Sequence, residues 1–344
     1  MLPEESRART RRSTSRRGVL KAAVAAGLAG VVLPSLGACT ADERVDSMVV
    51  AGGEPGGFYL EFATLLAASL QRNAVARQAS AMPTGGSLDN LEHLLSGRAT
   101  FAVALADAAA QRAMGKSASE AGIAALGRVY ENYVHCAVRK DSGVSSISGL
   151  AGRTVAVGEP GSGTSLTTPR LLEAARLTSV SAGAGPAAGG GQSVTVLNLG
   201  LNDGLSALRE GSVDALFWSG GVPTAAIAAT HHEVGLNFLD LSVLLPVLRA
   251  EYRGAFYDRV LIPAGAYEGI PAVWTVGVTN LLLCRSDLAD STVRRTVKLL
   301  VGNAEELIPQ SSLGVQFLSP ESLINTAGLP LHPAAAAAYR ELHG

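Results

Sequence analysis

The sequence TVAVGEPGSGTSL, residues 154–166, places a short apolar run before a turn rich in glycine and hydroxyl residues. Apolar residues at helical spacing continue from Leu166 to Leu177, so the pattern predicts a buried strand, a tight turn and a helix. Strand and helix in alternation are typical of a mostly parallel sheet flanked by helices. This unit therefore predicts an α/β fold.

The same order of elements recurs on both sides of this unit. Buried runs followed by a turn or a helical pattern occur at residues 48–51, 75–79, 101–105, 194–197 and 213–218. The segment LSGRATFA, residues 95–102, echoes REGSVDAL, residues 209–216, because each reads as a helix end, a glycine cap and a buried strand. The repetition predicts two equivalent sub-sheets rather than one continuous sheet.

Two further apolar runs, residues 133–140 and 279–285, are predicted to be strands that cross between two lobes. We expect residues 46–138 with 279–344 to form lobe 1, and residues 139–278 to form lobe 2, after a linker at 39–45.

Each crossing strand contains a cysteine, Cys136 or Cys284. Their apolar surroundings predict buried, reduced thiols. A disulfide stays open as the alternative, because paired crossing strands in an oxidising compartment could bring the two sulfur atoms close.

The first 38 residues have the three-part pattern of a signal peptide. An arginine-rich start precedes an apolar run at residues 19–33, which is shorter than the roughly 20 residues that a spanning helix needs. The segment SRRGVLK, residues 15–21, resembles the twin-arginine export motif, and LGAC, residues 36–39, resembles the bacterial lipobox. We therefore expect an exported protein, lipid-anchored through Cys39 on the outer face of the cytoplasmic membrane.

Composition and motifs exclude several classes of function. The net charge of -1 provides no basic field for nucleic acid. Residues 115–117 read GKS, but a phosphate-binding loop would need glycine where Ala110 stands. No G-x-S-x-G, H-E-x-x-H or C-x-x-C motif occurs, and the adjacent His231 and His232 suit one metal ion poorly. The sequence therefore predicts no catalytic residue, no cofactor and no metal site.

Four turns rich in Gly, Ser and Thr, at residues 52–57, 84–87, 161–165 and 219–221, follow predicted strands and open helices. Glycine lets backbone approach a ligand, and a helix N-terminus offers unpaired N–H groups. Each turn could instead be an ordinary helix cap, but such turns at the carboxyl ends of strands commonly line a ligand crevice. The predicted ligand-binding residues are Gly57, Tyr59, Thr84, Gly86, Ser87, Asn90, Asp107, Ser162, Gly163, Thr164, Ser165, Trp218 and Ser219. We expect a ligand carboxylate to bind at residues 161–165.

Several of these segments resemble one known family in combination and order. They are GGEPGGFY at 52–59, PTGGSLDNL at 83–91, VRKDSGV at 138–144, VGEPGSGT at 157–164, IPAGAY at 262–267 and LHPAA at 331–335. Together they resemble the TAXI family of TRAP-transporter solute receptors. The resemblance implies a two-lobed periplasmic-binding-protein-like fold of type II, with a small anion or amino acid held between the lobes and delivered to a TRAP-type membrane permease.

The chain departs from this family at Leu105 and Ala106, where many relatives carry Gln and Ser. The departure favours a smaller or more apolar acid over a glutamate-like ligand. A transport receptor, active as a monomer, is the first hypothesis. A ligand-sensing lipoprotein that signals to a membrane partner is the second, and an enzyme on the same fold, using Asp107 or Glu159, is the third.

Overall fold

The computed structural model describes residues 44–116, 118–183, 192–252, 256–309 and 318–343. The predicted signal peptide and Cys39 lie outside these residues. Within the described ranges, no helix has both the length and the apolar character that crossing a membrane requires.

The first part of the chain alternates strands with helices. Its elements are β1 (Val45–Ala51), α1 (Phe58–Arg72), β2 (Ala76–Met82), α2 (Ser87–Leu95), β3 (Phe101–Leu105), α3 (Ala106–Ala113) and α4 (Ala118–Ala121). Helix α1 forms where apolar residues recur every four positions, and Phe62, Leu66 and Leu70 are fully buried along that face. Strand β3 is buried at every position, as expected for a strand covered on both faces.

A second part repeats the alternation after the long strand β4 (Ile123–Arg139). Its elements are β5 (Thr154–Ala156), α5 (Gly163–Ala174), β6 (Thr178–Ser181), β7 (Ser193–Leu197), α6 (Leu201–Glu210), β8 (Ala215–Gly220), α7 (Ala225–Val234) and β9 (Leu236–Phe238). The chain then continues through α8 (Leu245–Glu251), β10 (Tyr257–Ile262), β11 (Val273–Arg285), α9 (Asp290–Gly302), α10 (Pro320–Leu323) and α11 (Pro333–His343).

The strands pair in the order β2-β1-β3-β11-β4-β8-β5-β7-β6, with β10 on β11 and β9 on β4. Strands β1–β3 are parallel to one another, and so are β5–β8, whereas β11 and β4 run antiparallel to their neighbours in this order. We call β1–β3 with α1–α4 the first half, and β5–β8 with α5–α7 the second half. The predicted α/β class, with a large, mostly parallel sheet flanked by helices, is confirmed.

The prediction of two separate sub-sheets is wrong. One hydrogen-bonded path connects both halves, because the 17-residue strand β4 pairs with β11 along residues 123–133 and with β8 along residues 133–138. The two halves nevertheless have a similar strand arrangement. In each half the strand that follows the second helix, β3 or β8, lies beside an antiparallel crossing strand, β11 or β4. The lobe boundaries given above stay a prediction.

Cys136 and Cys284 lie on the two crossing strands, β4 and β11, and both are buried and free. Cys284 pairs with Ala124, twelve positions before Cys136 on β4, so the two cysteines are on the order of 40 Å apart. A disulfide needs Cα atoms within about 7 Å, and the alternative pairing is thereby excluded. Burial raises the pKa of both thiols, that of Cys284 to about 12. The prediction of reduced thiols is confirmed.

Candidate ligand-binding cleft

A small cavity of about 30 Å³ lies where the two halves meet the crossing strand β4. Its volume holds roughly two water molecules. The lining residues are Gly53, Glu54, Gly57, Phe58, Tyr59, Gly85, Gly86, Ser87, Leu105, Asn132, Ser162, Gly163, Thr164, Trp218, Ser219 and Gly220. Both halves therefore contribute backbone, hydroxyl and aromatic groups to one enclosed space.

Three helices begin at this cavity. The residues that precede α1, α2 and α5 are Gly57, Gly86 and Ser162, and all three line it. The N–H groups of Ser87, Gly163 and Thr164 have no acceptor within the described part of the chain. Because a helix N-terminus carries unpaired donors and a partial positive charge, three of them directed at one space favour an anion there.

The hydroxyl groups of helix α5 have partners inside the protein. Ser162 Oγ accepts the N–H of Ser165 at 3.0 Å, so Ser162 is the N-cap of α5, and Ser165 Oγ donates to the Ser162 carbonyl at 2.9 Å. Both hydroxyl groups therefore take part in the cap of α5, and their contact with a ligand stays a prediction. Thr164 Oγ1 accepts the N–H of Ser219 at 3.0 Å, and its own proton is left to donate to a ligand.

The first half contributes a second polar surface. Tyr59 Oη lies 3.3 Å from Ser87 Oγ and donates to Asn280 Oδ1, and Ser87 Oγ accepts the N–H of Leu105 at 3.1 Å. Burial raises the pKa of Tyr59 far above its usual value, so its hydroxyl stays protonated. On β4, Asn132 donates to the Ser219 carbonyl at 3.0 Å, and its buried Oδ1 has no partner in the described chain.

The indole of Trp218 forms an immobilised wall. Trp218 Nε1 donates to Thr224 Oγ1 at 3.1 Å, the Thr224 N–H donates to Tyr267 Oη at 2.8 Å, and Tyr267 Oη lies 2.9 Å from His135 Nε2. Burial lowers the pKa of His135 to about 4, so this histidine is neutral at neutral pH. All four residues in this series of hydrogen bonds are buried, so the indole of Trp218 has little freedom to move.

Four predicted site residues do not line the cavity: Thr84, Asn90, Asp107 and Ser165. Thr84 Oγ1 donates to the Gly52 carbonyl at 3.2 Å, and Asn90 Nδ2 donates to the carbonyls of Gly52 and Val103. These two side chains use hydrogen bonds to hold the turn that follows β1, and Asn90 also bonds to strand β3. That these two residues contact the ligand stays a prediction.

Asp107 is committed to a contact between the two halves. Its Oδ2 accepts from Arg170 Nη1 at 2.8 Å, from Tyr257 Oη at 2.9 Å and from Thr167 Oγ1 at 3.3 Å. Burial raises the pKa of Asp107, and the Arg170 guanidinium opposes that shift. Asp107 therefore joins α3 to α5 and is not part of the cavity wall.

Two more contacts join the halves beside the cavity. The carbonyl of Gly161 accepts the N–H groups of Leu88 at 2.8 Å and Asp89 at 3.2 Å, and so caps α2 from the second half. Glu54 Oε2 accepts the N–H of Leu201 at 2.7 Å at the start of α6. Burial raises the pKa of Glu54, and the nearby Glu159 and Asp203 add to that shift. The structure thus shows the two halves in direct contact.

Nine predicted residues do line the cavity: Gly57, Tyr59, Gly86, Ser87, Ser162, Gly163, Thr164, Trp218 and Ser219. The lining residues that were not among the predicted ligand-binding residues are Gly53, Glu54, Phe58, Gly85, Leu105, Asn132 and Gly220, although the sequence had already drawn attention to Leu105. Five of these lie within or next to the four glycine-rich turns, so their positions carried a usable signal. Asn132 had none, because a single amide inside a long apolar strand does not stand out in the sequence.

Comparison with known proteins gives one family and several similar structures. The model of the NMT1-like family matches residues 50–342. A Xanthomonas citri protein solved with ATP is 15% identical, with 86% of this chain and 95% of that chain covered and a TM-score of 0.47. The periplasmic aliphatic sulphonate binding protein of Escherichia coli is 15% identical, with 86% and 78% covered and a TM-score of 0.43. A periplasmic binding protein of an ABC transporter from Brucella ovis, solved with glutathione, is 13% identical, with 76% and 69% covered and a TM-score of 0.45.

Proposed function

The chain belongs to the NMT1-like family, whose members are solute-binding receptors and not enzymes, and we propose that it captures a small carboxylate-bearing solute outside the cytoplasmic membrane. One observation carries this proposal. Three helix N-termini from two halves of the molecule meet at one small cavity.

The ligand's carboxylate would bind at the N-terminus of α5. The N–H groups of Gly163 and Thr164 have no acceptor in the described chain, and the Thr164 hydroxyl proton is free to donate. Hydrogen bonds to a charged acceptor contribute roughly 1.5–3 kcal/mol each, and the helix dipole contributes up to about 2 kcal/mol when partly buried. A carboxylate can therefore be held here without a cationic side chain.

The partner in transport would be a TRAP-type permease driven by an ion gradient. The support is the ordered series of TAXI-like segments, which begins at residue 52 and extends to residue 335. Reconstituted vesicles containing receptor and permease distinguish this partner from an ABC-type one. Uptake that follows a sodium or proton gradient supports the proposal, and uptake that needs internal ATP contradicts it. A purely sensory lipoprotein would support neither kind of uptake.

We expect export to depend on Arg16 and Arg17, and the mature chain to begin at a lipidated Cys39. Mass spectrometry of the N-terminal peptide from the native host checks both points. Replacement of the two arginines by lysine should leave the precursor uncleaved in the cytoplasm. An unmodified Cys39 in the wild-type protein, or a mature chain that keeps earlier residues, contradicts this expectation.

A thermal-shift screen tests the solute class most broadly. The exported protein, with Cys39→Ser to remove the anchor, is heated with panels of monocarboxylates, dicarboxylates, amino acids, sugars and amines. A ligand at 100 times its dissociation constant adds about 2.7 kcal/mol to the free energy of unfolding. Stabilisation by carboxylates supports the proposal. Stabilisation only by uncharged or cationic solutes rejects it.

A further inference from the structure

Leu105 is the only aliphatic side chain among the residues that line the cavity. It is the last residue of β3, it immediately precedes α3, and it is fully buried. Its N–H donates to Ser87 Oγ at 3.1 Å, so its backbone is fixed to the start of α2. Leu105 is therefore a rigid apolar element in a cavity whose other non-aromatic side chains are polar.

The end of this side chain lies against the predicted carboxylate site. A Cβ atom built on Gly163 would be 2.5 Å from Leu105 Cδ1 and 2.8 Å from Ser87 Oγ, distances that no real pair of such atoms adopts. Leu105 thus packs directly onto the first residue of α5. Because the Gly163 N–H is one of the donors available to an anion, the carbon chain of an acid bound there would meet the Leu105 methyl groups.

The charge of the lining residues restricts the ligand further. Glu54 is the only lining residue with a side chain that is ionised at neutral pH in water, and its Oε1 is buried without a partner in the described chain. No lysine or arginine lines the cavity. A second carboxylate on the ligand would be desolvated without a counter-charge and would lie near Glu54, and both effects disfavour it.

We propose that Leu105 limits the length of the ligand, and that the cavity takes monocarboxylic acids with a short aliphatic chain. The cavity volume of about 30 Å³, room for roughly two water molecules, favours the shortest acids over longer ones. The apolar chain of such an acid would contact Leu105 and the rings of Phe58 and Trp218. This inference rests on the proposed function, since it names the solute class of the same site.

The test compares four proteins against one series of acids. Wild type, Leu105→Ala, Leu105→Val and the control Leu94→Ala are titrated calorimetrically with acetate, propionate, butyrate, pentanoate, hexanoate and succinate. Leu94 is a suitable control because it is equally buried but does not line the cavity. One methylene in a hydrophobic pocket changes affinity by roughly 10–200-fold. We expect the ratio of hexanoate to propionate affinity to rise at least about tenfold in Leu105→Ala, less in Leu105→Val, and not in Leu94→Ala.

The outcomes separate this inference from the proposed function. If wild type binds the short acids and Leu105→Ala keeps the wild-type ratio, the role of Leu105 is overturned while the receptor function stands. If succinate binds wild type more tightly than propionate, the charge argument is overturned. If wild type binds no acid of the series but binds another class of solute, the proposed carboxylate site itself fails. Should Leu105→Ala not fold, the smaller change in Leu105→Val decides the result.

Discussion

Replacement of Gly163 by valine should reduce the affinity of the cleft for its ligand by at least about 100-fold. The closed contact between the halves has no room for a side chain here, because a Cβ atom on this residue would lie 2.5 Å from Leu105 Cδ1. The clash is relieved most easily by separating the two halves, since forcing atoms into a packed contact costs about 1–3 kcal/mol or more. If the halves separate, the ligand loses the hydrogen-bond donors of one half. We therefore expect a large loss of affinity with a change of no more than about 1–2 kcal/mol in the free energy of unfolding.

Gly302→Val is the matched control, because a Cβ atom on Gly302, the last residue of α9, meets nothing within 4 Å. It should leave affinity unchanged. A Gly163→Ala variant should lose less affinity than Gly163→Val, and adding Leu105→Ala should restore part of that loss. Wild-type affinity in Gly163→Val would mean that the halves do not close at this contact when the ligand binds.

Replacement of Asp107 by alanine should reduce the free energy of unfolding by about 3–5 kcal/mol. The side chains of Asp107 and Arg170 are 1% and 14% exposed, and the variant would leave a buried guanidinium without its carboxylate. Loss of one partner from a buried ion pair costs about this much, because the remaining charge is uncompensated. The Tyr257 hydroxyl also loses its acceptor. Urea unfolding measures the effect as a lower midpoint at an unchanged slope.

Asp214→Ala provides the comparison, because Asp214 pairs with Arg153 at 2.7 Å but both side chains are more than 30% exposed. Exposed ion pairs contribute about 0–1 kcal/mol to stability, so Asp214→Ala should lower the free energy of unfolding only slightly. The double variant Asp107→Leu with Arg170→Leu should recover much of the stability, since no charge is then left buried. Equal effects of Asp107→Ala and Asp214→Ala would contradict the structural role given to Asp107.

Much of the fold was accessible from the sequence because its local signals agree. The predicted strand at 101–105 coincides with β3. The helix predicted at 166–177 begins three residues earlier in the structure, because Ser162 caps the chain and residues 163–165 form the first turn. The helix also ends at Ala174 rather than at residue 177, because Arg176 adopts a positive φ of 58° that stops it.

The continuity of the sheet was not accessible in the same way. Residues 123–132 form the first part of β4 and are almost all buried, but β4 was predicted to begin only at residue 133. Strand β4 extends because its first part finds β11 as a partner, 140 or more residues further along the chain. Such pairing depends on tertiary context, which local propensity does not report.

The candidate site was predictable at the level of turns and less so at the level of side chains. Gly, Ser and Thr at strand ends are the signal for backbone donors, and these residues do line the cavity. The sequence did not indicate that Asn90 and Asp107 bond to Val103 and Arg170, because these partners are fixed only by the fold. A polar residue in a pocket-forming segment can be satisfied internally, and only the structure shows which ones are.

The central claim is that a small carboxylate binds at the start of α5, and a calorimetric titration of Thr164→Ala tests it most directly. Thr168→Ala is the control, because it is the same substitution one turn further along α5, at a buried residue that does not line the cavity. With the acid that most stabilises wild type, we predict at least about tenfold weaker binding for Thr164→Ala and wild-type affinity for Thr168→Ala. Wild-type affinity in Thr164→Ala would contradict the claim and show that the carboxylate binds elsewhere.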